Sequence, residues 1–261
     1  MANKAITYAG YLKIDELLSL QVPRSTEPAT GAPEHDELLF IVIHQVYELW
    51  FKQLLHEAAR LQTAFGDGDG RVVLATLTRM LTILKTVVAQ VDILETMTPL
   101  SFASFRGRLE SASGFQSAQF RELEAVLGRR DPRMLSPHPP GAPRERIEAA
   151  MHRPSLYDAF LAFAGIDRRG GAGGRDGAEV DRAVVDGLER VYRDDPLKAL
   201  VCERMVDLDE GVQEWRYRHV KMVERTIGGR SGTGGSAGAS YLRGTLLAPM
   251  FAELWAVRDR F

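Results

Sequence analysis

The sequence predicts an all-α fold, a helical bundle, on three observations. Apolar residues recur in steps of three and four over long stretches, the spacing of one helix face. No stretch shows the apolar–polar alternation of a half-buried strand. Glycine and proline gather in a few connections rather than throughout the 261 residues. An apolar share of 45% and a charged share of 26% match a soluble globular chain with a sizeable core. The pattern is assigned to one domain, residues 1–261.

The elements follow in order. An N-terminal arm, about residues 1–34, carries Tyr8, Tyr11 and Leu12 ahead of the first long helix. Such a segment is either frayed or docked on another surface, such as a second subunit. From His35 to about Gln62, Leu39, Phe40, Ile43, Tyr47, Trp50, Phe51, Leu54, Ala58 and Leu61 mark a long helix. It is almost wholly apolar between Leu38 and Phe51, which predicts burial on more than one side. A second long helix spans Arg71 to Thr96, and the short turn Gly66-Asp-Gly-Asp-Gly70 predicts that the two pack antiparallel.

Thr98-Pro99 has the form of an N-cap with proline at the first helical position, opening a short helix to Arg106. Ser111-Ala-Ser-Gly114 interrupts, and helical spacing resumes from Phe115 to Leu127. Ser136 to Pro143 is expected to be irregular because of its prolines. The run Gly170-Gly-Ala-Gly-Gly174 predicts a mobile loop over 165–177. Helices return over Val180–Arg193 and Pro196–Ile227. The glycine-dense Gly228–Ser240 reads as a loop that turns sharply or approaches a ligand closely. A last, weaker helix is expected from Tyr241 to Phe261, with Pro249 inside it.

Composition narrows the function. Lys plus Arg is 33 and Asp plus Glu is 35, a net charge of −2, so no whole-protein attraction draws the chain to nucleic acid or an anionic membrane. No apolar run approaches the roughly 20 residues of a membrane span, and the first residues lack the apolar stretch of a secretory signal. A cytoplasmic protein with neither a nucleic-acid nor a membrane partner is therefore expected. Cys202 is the only cysteine, which excludes an internal disulfide and a Cys-rich zinc or iron–sulfur site. Nucleophile-elbow, dinucleotide and Cys-x-x-Cys motifs are absent. Chemistry is left to His, Arg, carboxylates, hydroxyls or a bound cofactor.

Two histidines sit oddly. His44 lies in the most apolar part of the first long helix, and His219 on an apolar stripe with Leu208, Val212, Trp215, Met222 and Val223. Each can be a core histidine hydrogen-bonded to a neighbouring helix. Together, on two helices of one bundle, they also fit a shared cofactor site. With Glu48 one turn on, His44 can join a metal site. Alternatively, one imidazole on an apolar wall suits axial ligation of a haem, whose macrocycle supplies the other four ligands. Arg106 presents a planar fork suited to a carboxylate, or is a surface residue at a helix end. The loop around Thr233 is a plain connection or an anion-binding nest.

The wording of the chain goes further. Phe40-Ile-Val-Ile-His-Gln-Val-Tyr-Glu-Leu-Trp-Phe-Lys-Gln53 resembles the signature of the tryptophan 2,3-dioxygenase family. So do Phe102-Ala-Ser-Phe-Arg106, Ser111-Ala-Ser-Gly-Phe-Gln-Ser-Ala-Gln-Phe-Arg121, Trp215-Arg-Tyr-Arg-His-Val-Lys-Met-Val-Glu-Arg225 and Gly232-Thr-Gly-Gly-Ser236, while Tyr8 to Leu18 is similar to the family's N-terminal stretch. The blocks stand in family order from near residue 8 to near residue 243. Between about Arg129 and Asp195 the chain is short and glycine-rich.

The resemblance implies a homotetrameric, all-helical enzyme with non-covalent haem b. It would use O2 to open the indole pyrrole ring of L-tryptophan, giving N-formylkynurenine in the kynurenine pathway. By position, His219 matches the proximal iron ligand and His44 the distal histidine that meets the indole N–H. Arg106 matches the partner of the substrate carboxylate, and Thr233 the residue near its ammonium and carboxylate. Phe40, Phe102 and Gly114 match pocket-lining positions. Tyr8, Tyr11 and Leu12 match residues reaching a neighbouring subunit's pocket. Phe102 stands where some members have Tyr, so a hydroxyl there is not essential. The glycine content around Thr233 further predicts a loop that closes over substrate. Two alternatives stay open. One keeps the scaffold as a haem monooxygenase or peroxide-driven hydroxylase on a tryptophan derivative or tyrosine-like substrate, as in natural-product biosynthesis. The other is a non-catalytic haem-binding sensor or a haem-free helical module.

Overall fold

The computed structural model describes residues 5–110, 112–167, 180–233, 243–244, 246 and 248–261, and among them there is no strand. The helices are α1 (Tyr8–Leu12), α2 (Ile14–Leu18), α3 (His35–Gly66), α4 (Gly70–Leu94), α5 (Pro99–Arg106), α6 (Ala118–Leu127), α7 (Ala142–His152), α8 (Leu156–Ala164), α9 (Arg182–Asp194), α10 (Pro196–Ile227) and α11 (Ala252–Ala256).

The α3–α4 hairpin is built by its turn. Gly68 takes φ 69°, where a side chain would be strained, and the Asp69 carboxylate caps α4 by accepting from the Val72 N–H at 3.1 Å. Arg79 of α4 donates to Glu57 of α3 at 3.1 Å, as antiparallel packing requires. Helix α10 lies along α4 in the same direction. Leu197 packs on Gly70, Leu84 on Gly211, and Arg218 pairs with Asp92 and Glu95. A Cβ on Gly70 would stand 2.9 Å from a Leu197 methyl, so this glycine permits close approach of the helices. Leu54, Leu61, Leu77, Met80, Met205 and Leu208 form the dry centre. By length and composition α3 and α4 are long and apolar enough to cross a membrane, contrary to the expectation from run lengths. In the fold α4 turns Val73, Leu77, Met80, Leu84 and Val87 into the bundle, and α3 buries Ile43, Tyr47, Phe51, Leu54, Ala58 and Leu61. Leu38, Val42 and Leu49 stay exposed, so the burial of Leu38 to Phe51 on more than one side expected from the sequence is not met within this chain.

Three helices depart from the sequence expectation. The proline-rich stretch ends earlier than expected, because α7 begins at Ala142 with Pro143 in its first turn, where the missing N–H costs nothing. Helix α8 opens on a capping box, Ser155 with Asp158, and buries Leu156, Tyr157, Phe160 and Leu161. Phe160 meets Phe65 of α3 with ring centroids 5.9 Å apart. The C-terminal helix is shorter than expected. It starts at Ala252, beyond Pro249, and the buried Asp209 holds it by accepting from the N–H groups of Met250 and Phe251 and from Trp255 Nε1. Residues 241, 242, 245 and 247 of the expected helix lie outside the described residues, as does the 170–174 glycine run.

The arm is pinned where it meets the bundle. The buried Glu37 carboxylate, in the first turn of α3, accepts the N–H groups of Arg24 and Ser25 and the Ser25 hydroxyl. Burial pushes this carboxyl up, but the donated hydrogen bonds outweigh it and hold the pKa below the ordinary 4.5. A depressed folded-state pKa gives stability that is complete above the unfolded value and lost as pH falls through the folded one. After correction for intrinsic rates, amide exchange at Arg24 and Ser25 should therefore accelerate as pH falls below the ordinary carboxyl value and through the depressed folded one. In Glu37→Gln it should be fast already at neutral pH. Protection that is independent of both would show that the staple carries no stability.

Candidate functional site

Helices α3, α5, α6 and α10 enclose a cavity of ≈ 200 Å³. From α3 come Phe40, His44, Tyr47 and Phe51; from α5, Phe102 and Arg106; from α6, Phe120, Arg121 and Glu124. Helix α10 adds Trp215, Arg216, His219 and Met222, while Gly114, Gly232 and Thr233 complete the wall. Seven of the ten candidate residues thus meet in one cavity: Phe40, His44, Phe102, Arg106, Gly114, His219 and Thr233. The other three do not reach the pocket of this chain. Tyr8, Tyr11 and Leu12 stand exposed on α1, at 77%, 72% and 43% of their surface.

The α3 helix sets the tautomer of His44. Its Nδ1 lies 2.7 Å from the Phe40 carbonyl oxygen one turn back. A carbonyl only accepts, so Nδ1 carries the hydrogen and Nε2 of the neutral ring keeps a lone pair. Burial lowers this imidazole below its ordinary pKa, against opposing pulls from the Phe40 carbonyl and Glu48. The neutral form therefore prevails at pH 7.

His219 is pulled down to about 4, first by burial and then by His44 and Arg121. It too is neutral at pH 7, the state in which imidazole ligates a metal. Among the described residues no group of three or more His, Cys, Asp or Glu could hold a metal ion. A metal on His44 and Glu48 thus finds no third donor, and Glu48 already accepts from Gln119 at 2.7 Å. One neutral imidazole on an aromatic wall instead fits a metal that arrives in a macrocycle.

Arg106 and Thr233 join the two ends of the pocket mouth. Arg106 Nη2 donates to the Ser231 carbonyl at 2.6 Å, and Thr233 Oγ1 to the Ala112 carbonyl at 2.5 Å. Gly228, at φ 60°, ends α10 and turns the chain toward this contact. Residues 234–240, including Gly234 of the expected closing loop, lie outside the described residues.

The sequence reading missed the charged wall. The Glu124 carboxylate is 1% exposed and accepts from Arg121 at 2.5 Å, Arg216 at 2.7 Å and Arg129 at 3.1 Å. Burial raises its pKa, but the three guanidiniums outweigh this and keep it charged, below the ordinary carboxyl value. Three guanidiniums line the cavity (Arg106, Arg121 and Arg216) against the two carboxylates Glu48 and Glu124. The surplus of positive charge suits the carboxylates of an amino acid or a porphyrin. Two signals were available in the sequence. Arg121 and Glu124 stand at i,i+3 on one helix, and Arg216 lies three residues before His219.

Fold and cavity together define a helical-bundle protein with an aromatic pocket that holds two neutral imidazoles and excess guanidinium. Comparison with known proteins gives the family. The model of the family described as tryptophan 2,3-dioxygenase matches residues 1–137 and 182–260. A protein of Anaeromyxobacter sp. (strain K), named tryptophan 2,3-dioxygenase, is 62% identical over 98% of this chain and 96% of its own length. Proteins of the same name from Herpetosiphon aurantiacus and Caulobacter vibrioides are 54% and 43% identical, each over 98% of both chains. The chain belongs to the tryptophan 2,3-dioxygenase family.

Proposed function

We propose that this chain binds haem b non-covalently and, with O2 as co-substrate, converts L-tryptophan to N-formylkynurenine by opening the C2–C3 bond of the indole. The reading includes a cytoplasmic homotetramer acting in tryptophan catabolism. Its main support is the meeting of His44, Arg106, His219 and Thr233 in one cavity of a chain so similar to named tryptophan 2,3-dioxygenases.

The residues divide the work by their chemistry. His219 would hold the iron through its neutral imidazole. When bound, the haem supplies the iron centre that activates O2. His44 Nε2, a fixed acceptor, would receive the indole N–H. Phe40 and Phe102, with ring centroids 5.9 Å apart, would give the indole an apolar wall that excludes water. Arg106 would take the substrate carboxylate on its fork, and Thr233 would stand near the ammonium and carboxylate. A Cβ added to Gly114 would meet nothing within 4 Å, so its missing side chain leaves open room beside them. The bare faces of Tyr8, Tyr11 and Leu12 suit docking of the arm, about residues 1–34, on a neighbouring subunit, which completes that subunit's pocket. Because both atoms of O2 enter the product, no external reductant is needed.

Isotopic product analysis tests the activity. Haem-loaded protein given L-tryptophan and labelled O2, without reductant, should form a product that carries two labelled oxygen atoms. A product with one added oxygen would favour the hydroxylase reading. No turnover, with haem bound, would favour the sensor.

A further inference from the structure

Trp215 stands one helical turn before His219 on α10, and the two rings stack with centroids 5.1 Å apart at 19°. Three rings from two other helices grip the indole. Phe120 of α6 lies 4.6 Å away at 42°, Phe51 of α3 6.0 Å away at 86°, and Tyr47 of α3 6.5 Å away at 79°. The indole N–H is buried without a hydrogen-bond partner, so aromatic contacts set the orientation of Trp215. His44 differs, because the Phe40 carbonyl fixes it. Among the described residues no hydrogen bond reaches either ring nitrogen of His219. A metal-ligating imidazole is usually oriented by a hydrogen bond from its second nitrogen. Here a clamped indole lies instead against the face of the ring.

We propose that Trp215 is the positioning residue of His219. Held by Tyr47, Phe51 and Phe120, it fixes the plane of the imidazole and hence the direction in which that ring meets a porphyrin iron. This rests on the reading of His219 as the haem ligand. Trp215 acts only through His219, and its contribution resides in its flat face, not in its N–H.

The test uses the full chain reconstituted with hemin. Trp215→Phe keeps a flat ring, whereas Trp215→Leu removes it. Trp215→Leu should lower hemin affinity about tenfold. It should also shift and broaden the iron–imidazole stretching band of the reduced protein in resonance Raman spectra. Trp215→Phe should restore most of both. Should Trp215→Leu fail to fold, Phe120→Leu loosens the clamp instead and should broaden the same band to a smaller degree. A parent-like band and affinity in Trp215→Leu, or in Phe120→Leu where that variant is used, would overturn the proposal. So would a Trp215→Phe variant as impaired as Trp215→Leu, because the N–H would then be the active element. If the parent itself gave no Soret band with hemin, the haem reading would fall instead.

Discussion

Replacement of His219 by alanine is expected to abolish stable haem binding while leaving the helical bundle intact. The imidazole is neutral at pH 7 and stands on a wall of aromatic and aliphatic side chains, with guanidiniums and the carboxylates Glu48 and Glu124. No group of three or more His, Cys, Asp or Glu is available among the described residues to take over the iron. Its removal leaves only apolar contact and charge pairing to retain a porphyrin. After gel filtration the variant should carry less than about a tenth of the parent's haem, with an unchanged far-ultraviolet circular dichroism spectrum. His44→Ala separates the two histidines. It should keep its haem and slow turnover roughly tenfold to a hundredfold, the worth of one buried hydrogen bond to substrate. A His219→Ala protein that retains normal haem would refute the ligand assignment.

Loss of Arg106 should have the second-largest effect. Its fork is already organised by the bond from Nη2 to the Ser231 carbonyl, so little ordering remains when a carboxylate arrives. Without it, that carboxylate enters the pocket unpaired, a loss of about 2–5 kcal/mol. Arg106→Leu should therefore lower kcat/KM for L-tryptophan by about two to three orders of magnitude. Arg106→Lys should recover only part, since a point charge lacks the paired donors. Because Arg106 also ties α5 to Ser231, the decisive comparison is with tryptamine, which has no carboxylate. Binding of tryptamine should scarcely change in Arg106→Leu. An equal loss for both ligands would mean that Arg106 supports the pocket wall and does not recognise the substrate.

The long helices were legible because period alone defines them. Phe40, Tyr47, Phe51, Leu54 and Leu61 recur at helical steps, and the glycine–aspartate turn at 66–70 dictates a hairpin. Helices α7 and α8 were hidden because their signals sit beside prolines: Pro143 starts a helix where its neighbours argue for a loop, and the Ser155–Asp158 box follows directly on Pro154. The parallel run of α10 along α4 could not be read, since it depends on which helix faces present Gly70 and Gly211. In the pocket, His44 and His219 announced themselves as polar atoms on apolar stripes. Glu124 with its guanidiniums did not, because a charged residue on an amphipathic helix ordinarily faces water. Only the tertiary fold shows that this one is buried.

On the proposed reading, a haem on His219 and an indole amino acid beside His44 share one cavity. Titration of the purified protein with hemin, followed by L-tryptophan, tests it most directly by visible absorption. A Soret band should saturate at one hemin per chain and then shift saturably as tryptophan is added. A protein that stays colourless with hemin, or whose band ignores tryptophan, would contradict it.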